Sequence, residues 1–136
     1  ISVRPISAPV FGNVGSPIRG VKARIVNPED GYVLKRGQFG AIQIKGGTVM
    51  RGYYKRPDLT EKVMTVDGWF DTGDLGMMTI HDEIVIKGRK KDTIVLRGGE
   101  NVEPVPIELK LAESRYVKTA VVVGQDQRYL GALILV

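Results

Sequence analysis

Residues 68–92 read GWFDTGDLGMMTIHDEIVIKGRKKD, and the fold turns on how this stretch is parsed. Gly76–Ile80 (GMMTI) and Glu83–Lys87 (EIVIK) flank the polar pair His81-Asp82, a strand–turn–strand arrangement that predicts a hairpin. Just upstream, Asp71 and Asp74 bracket Thr72-Gly73, a composition that predicts a turn. Just downstream, Gly88–Asp92 (GRKKD) is a charged break. It separates two differently built halves and is the predicted domain boundary.

Working outward toward the amino terminus, VKARIV (21–26) alternates and carries β-branched residues, so it reads as a strand. NPEDG (27–31) is a turn cluster, and GAIQIK (40–45) is a second alternating strand. TVMRGYY (48–54) is expected to continue extended. Arg56–Met64 predicts a helix, with Pro57 in its first turn and Asp58 and Glu61 complementing its amino-terminal dipole. Residues 1–20 hold three of the seven prolines and three glycines, and read as connecting loop. Toward the carboxy terminus, TIVLR (93–97) reads as a short strand and GGENVEP (98–104) as a loop. Glu103–Ala112 reads as a helix with Ile107 and Leu111 on one face. VKTAVVVG (117–124) and YLGALILV (129–136) read as strands across the turn at 125–128. The expected class is α+β and strand-rich, with a β-α-β-β second part.

The 136 residues suffice for one packed core, since a chain of this length buries roughly two-thirds of its unfolded surface. Hydrophobic residues at 43% and charged residues at 26% exclude a largely disordered chain. Without cysteine there is no disulfide, thiolate metal site or cysteine nucleophile, and the single histidine, His81, excludes any site needing two. The net charge of +5 is a mild basic excess with both signs interspersed, consistent with a solvated surface. No apolar run approaches the ~20 residues of a membrane helix. The chain starts at Ile1 and ends within the apolar run Leu130–Val136, which leads to the expectation of an internal piece of a longer protein.

Three clusters could carry chemistry. The carboxylates Asp71 and Asp74 offer acceptors only, suited either to a ribose diol or to their own turn amides. In GRKKD, Arg89 could fork two hydrogen bonds to a nucleotide, and Lys91 stands where a hinge would absorb backbone rotation. The same residues also read as a solvated basic turn. Gly98-Gly99-Glu100 lets a ligand approach the backbone, or is a plain turn before a helix. Gly46-Gly47-Thr48 is not a phosphate loop, because neither GxxxxGK[ST] nor a strand followed by GxGxxG is present. His81 reads as a solvated turn residue, and Trp69 and Phe70 as packing residues.

The order and spacing of these motifs resemble the adenylate-forming superfamily of acyl-CoA synthetases, luciferases and peptide-synthetase adenylation domains. The resemblance runs through GQFGAIQIKGGTVMRGYYKRPDLT (37–60), GWFDTGDLG (68–76) and GRKKDTIVLRGGENVEPVPIE (88–108). Within the superfamily, VLRGGENVEPVPIE and VVVGQDQRYLGALI (121–134) look most like long-chain fatty-acyl-CoA ligases. The resemblance implies that residues 1–88 form the β-barrel-like end of a large AMP-binding domain. It makes 89–92 the hinge and 93–136 the start of a small carboxy-terminal domain.

By the same resemblance, such an enzyme activates a fatty acid with ATP and Mg²⁺ to an acyl-adenylate, then passes the acyl group to coenzyme A. Asp74 and Arg89 match the ribose contacts, Lys91 the hinge residue, and Gly98, Gly99 and Glu100 the loop that helps form the pantetheine tunnel. No metal ligand falls in this chain. The phosphate loop, the acyl pocket and the adenylating lysine match nothing here, so the chain alone is expected to be inactive. Two departures stand out: Ala41 where many members carry glutamate, and EPVPIE where YPxEIE is common. The resemblance implies a cytoplasmic enzyme and leaves room for peripheral membrane contact. Open alternatives are an aryl-CoA ligase, a carrier-protein loader, a non-catalytic relative, and a basic nucleic-acid-binding module. The last is disfavoured because aromatics are few and not interleaved with the basic run.

Overall fold

The computed structural model describes Ser2, Val3 and residues 12–136. The chain divides into two compact units, Ile1–Ile86 and Lys87–Val136.

The first unit is built on one sheet. Its strands are β1 (Ser2–Val3), β2 (Asn13–Pro17), β3 (Val21–Val26), β4 (Phe39–Gly46), β5 (Phe70–Met78) and β6 (Ile84–Arg89), in the order β1-β2-β6-β5-β4-β3. Alternation in β3 and β4 sends Val21, Ile25, Ile42 and Ile44 to one face, where they cluster with Ile84 of β6. Val14 of β2 packs against the same cluster, so strands far apart in the sheet order share one core, as a curled sheet requires. On the opposite face Val26, Ala41 and Leu75 form a second cluster, aligned as direct partners across β3, β4 and β5. Helix α1 (Pro57–Val63) starts at proline, and Arg56 clasps Asp58 through two hydrogen bonds of 2.9 and 2.7 Å.

Four local expectations change. The loop expected over residues 1–20 contains strands β1 and β2, while Ile1 and residues 4–11 lie outside the described residues. Asn13 explains β2: its Oδ1 accepts from the Gly15 amide and its Nδ2 donates to Glu83, so a turn-forming residue serves a strand irregularity. Residues 47–53 do not continue β4; a turn closes with Val49 N–H on the Gly46 carbonyl. Gly88 and Arg89 belong to β6, and the charged break is confined to residues 90–92. The fourth change concerns β5. It begins at Phe70, so Asp71-Thr72-Gly73-Asp74 lies within a strand and not in a free turn.

In the second unit, β7 (Ile94–Val95) pairs antiparallel with β8 (Asn101–Val102), a strand that adds to the expected β-α-β-β order. Helix α2 (Pro104–Ala112) follows, then β9 (Thr119–Val123) and β10 (Gly131–Leu135), paired in regular antiparallel register. Ala120 and Val122 are the buried residues of β9, and α2 packs against that strand. Glu108 of α2 accepts a hydrogen bond from the Val122 amide at 2.8 Å, which ties the helix to the strand. Among the described residues no helix is long and apolar enough to cross a membrane.

Candidate functional site

Asp74 owes its position to an interruption of the β4–β5 ladder. Ala41 pairs with Leu75 and Gln43 with Asp71, so a two-residue step on β4 faces a four-residue step on β5. The surplus residues leave the ladder as a bulge, a device common beside functional sites. Three local bonds shape it. Asp71 Oδ1 accepts from the Gly73 amide (2.9 Å), Thr72 Oγ1 donates to the Ile42 carbonyl (2.9 Å), and the Asp74 amide donates to Thr72 Oγ1 (3.1 Å). Gly73 takes φ of +73°, a conformation that suits a residue without Cβ. The two carboxylates expected to act alike are therefore different: Asp71 serves its own turn, and Asp74 follows it on the half-buried strand.

The loop leading into β5 is held by a cluster that sequence reading missed. The Arg24 guanidinium carbon lies 4.3 Å from the Trp69 ring centroid. Its Nε donates to Gln43 Oε1 (2.8 Å) and its Nη1 to Asp67 Oδ2 (3.2 Å). Lys45 Nζ donates to the Asp67 carbonyl, and Thr65 Oγ1 to Asp67 Oδ1 at 2.6 Å. The only available signal was the presence of Arg24 and Gln43 on adjacent alternating strands; strand register was needed to see that they are partners.

That Thr65 hydrogen bond, with the nearby charge of Arg24, holds the Asp67 carboxyl below the usual carboxylate range. A carboxyl depressed in the folded state stabilises it above the unfolded pKa, and the contribution vanishes as pH falls through the folded pKa. Trp69 is the sole tryptophan and reports on this loop. Its emission should shift as pH falls below the usual carboxylate range, and Asp67→Asn should flatten that titration. An unchanged titration in the variant would assign it to another carboxyl.

The remaining expected residues lie in the second unit. Arg89 is the last residue of β6. Lys90 and Lys91 are the central pair of a turn closed by the Asp92 amide on the Arg89 carbonyl at 2.9 Å, and both are exposed. Gly98, Gly99 and Glu100 share one tight turn between β7 and β8. It is closed by Gly99 N–H on the Leu96 carbonyl (2.8 Å) and Leu96 N–H on the Glu100 carbonyl (2.9 Å). Beneath these elements Thr93 Oγ1 donates to Glu103 Oε1 at 2.6 Å, while Glu103 Oε2 is buried against Gly88, without a hydrogen-bond partner among the described residues. His81 is exposed in the β5–β6 turn, as expected. Among the described residues no three His, Asp or Glu side chains converge to hold a metal ion.

Residues 91–136 match the family model of the AMP-binding enzyme C-terminal domain. A chloroplastic long-chain-fatty-acid–[acyl-carrier-protein] ligase of Arabidopsis thaliana is 44% identical over 145 aligned positions, which cover 99% of this chain and 20% of that protein. A long-chain-fatty-acid–CoA ligase of Mycobacterium tuberculosis is 39% identical over 126 positions, covering 93% of this chain and 19% of that one. Among solved structures, ATP-bound MatB from Rhodopseudomonas palustris superposes with a TM-score of 0.82 at 36% identity, covering 96% of this chain and 26% of that chain.

This chain belongs to the adenylate-forming, AMP-binding superfamily.

The adenylate-forming chain spans about one fifth of the length of the curated relatives it matches. Its strand-rich, curled-sheet architecture matches its solved neighbours and bears out the expected fold class.

Proposed function

We propose that this chain supplies the ribose contact, the hinge and part of the thiol tunnel of an ATP-dependent acid–thiol ligase acting on a long-chain fatty acid. The observation that carries the reading is the β5 bulge. It takes Asp74 out of the ladder while Thr72 and Asp71 satisfy the amides around it. A rigidly held carboxylate accepts from both hydroxyls of a ribose diol. Arg89, exposed at the end of β6, is the second residue proposed to contact a nucleotide, through the two-pronged guanidinium fork.

In the first half-reaction the fatty-acid carboxylate attacks the α-phosphorus of MgATP, forming acyl-adenylate and releasing pyrophosphate. Holding the ribose fixes the α-phosphate for in-line attack, which is where the effective-molarity gain arises. In the second, a thiol displaces AMP to give the thioester. The two geometries call for a hinge at residues 89–92 between a large-domain part (1–88) and a carboxy-terminal part (93–136). Lys91 is suited to it as a central residue of an exposed, hydrogen-bonded turn. The Gly98-Gly99-Glu100 turn borders the pantetheine arm of coenzyme A. A carrier-protein thiol is the second reading of the acceptor, favoured by the similarity to an acyl-carrier-protein ligase.

The test is palmitate-dependent AMP release from MgATP by the complete protein that carries this chain. It is run with no acceptor, with coenzyme A and with holo acyl-carrier protein, and benzoate replaces palmitate as a control. Release with palmitate that rises with coenzyme A supports the reading; a rise with carrier protein alone selects the second acceptor. Lys91→Pro locks φ at position 91 and biases Lys90 toward extended backbone, so it opposes rearrangement of the 89–92 turn. It should slow thioester formation by about two orders of magnitude or more while leaving pyrophosphate exchange near wild type. Equal losses in both half-reactions would remove the hinge assignment.

A further inference from the structure

Strand register places three polar side chains in one row: Arg24 on β3 faces Gln43 on β4, which faces Asp71 on β5. Gln43, 8% exposed, is the one buried polar side chain among the described residues. Its Oε1 is satisfied by Arg24 Nε, and the same guanidinium reaches over to Trp69 and Asp67 in the loop preceding β5. Arg24 therefore links the sheet interior to the start of β5.

This linkage bears on the bulge. With Leu75 opposite Ala41, an uninterrupted ladder would set Gly73, and not Asp71, opposite Gln43. That regular pairing would recover ladder hydrogen bonds that the bulge forgoes. It would also push the surplus residues back toward Phe70 and the preceding loop, drawing Asp74 flush with its neighbours. The stack on Trp69 and the bond to Asp67 fix the loop and leave nowhere for that surplus to go.

We propose that Arg24 is a positioning residue for Asp74: it pins the entry of β5 so that the bulge stays open and its carboxylate stays on the nucleotide. The proposal rests on the reading of Asp74 as the ribose contact. Arg24 touches no substrate itself and acts through Trp69, Asp67 and Gln43.

The experiment compares ATP with 2′-deoxyATP in pyrophosphate exchange by the complete protein, for wild type, Arg24→Ala, Arg24→Lys and Asp74→Ala. The readout is the preference for ATP, a ratio that a smaller folded fraction cannot alter. Arg24→Ala should shrink the preference for ATP about tenfold, the scale of the one hydrogen bond that 2′-deoxyATP lacks, while KM rises for both nucleotides because each keeps a 3′-hydroxyl that Asp74 would hold. Arg24→Lys keeps the charge but loses the planar fork, and should fall between Arg24→Ala and wild type. If Arg24→Ala fails to fold, the Arg24→Lys ratio decides alone. A wild-type preference in both variants, whatever their total activity, overturns the positioning role. Asp74→Ala tests the underlying reading separately. If it keeps the wild-type preference, the ribose contact itself is wrong, and the proposal falls with it.

Discussion

Asp74→Ala is expected to lower kcat/KM for ATP in the adenylation half-reaction of the complete protein by roughly 10²- to 10⁴-fold, the loss expected for two hydrogen bonds to an ionised acceptor at ~1.5–3 kcal/mol each. The bulge is closed by the Asp71 and Thr72 side chains and by the Asp74 backbone amide, so removing the Asp74 carboxylate leaves all three bonds in place. Asp71→Ala makes the informative partner. It removes the acceptor for the Gly73 amide, so it should loosen the bulge and lower thermal stability, with a smaller loss toward ATP. Pyrophosphate exchange and a melting curve on the two variants separate contact from support. A wild-type KM for ATP in Asp74→Ala would end the ribose reading.

The pair also shows where sequence reasoning stopped. Val21–Val26, the hairpin around His81-Asp82 and the helix opened by Pro57 were legible, because alternation, turn residues and a proline-led first turn are local signals. DTGD was not. An Asx residue followed by a glycine at positive φ describes a turn and a bulge equally well, and only the partner strand distinguishes them. Strand β8 was hidden for a similar reason: two residues after a Gly-Gly turn carry no periodicity. The candidate residues Asp74, Arg89, Lys91 and Gly98–Glu100 emerged from motif order. The Arg24–Trp69–Asp67 cluster did not, because Arg24 lies more than 40 positions from Asp67 and Trp69 and meets them only through the sheet.

Gly76→Ala is expected to be the most damaging single-methyl change in the first unit. An added Cβ at Gly76 would overlap the Val85 carbonyl oxygen on β6 and stand 2.9 Å from Ile42 Cδ1. The first neighbour is backbone in the middle of the sheet and cannot swing aside; the second belongs to the main core. Relief requires prising β5 from β6, and overpacking of this kind costs about 3 kcal/mol. For a unit of this size each kcal/mol lowers Tm by roughly 4–8 °C. Gly47→Ala is the control: its Cβ meets nothing within 4 Å, so its effect should stay within about 0.5 kcal/mol. Thermal unfolding of the two variants should differ widely. Similar melting temperatures would mean that β5 and β6 can separate at little cost.

The bulge in β5 has an even number of surplus residues, and that arithmetic has an evolutionary side. Side chains alternate along a strand, so an odd insertion would turn every later residue of β5 inside out. An even one restores the alternation, which is why Leu75 still meets Val26 and Ala41 beyond the interruption. The bulge residues, among them the proposed ribose contact, thus form a cassette that can be shortened or rewritten in steps of two while the sheet on either side keeps its packing. A lineage could discard the chemistry and retain the architecture, so an intact sheet in a relative is no guide to whether that relative still binds a nucleotide.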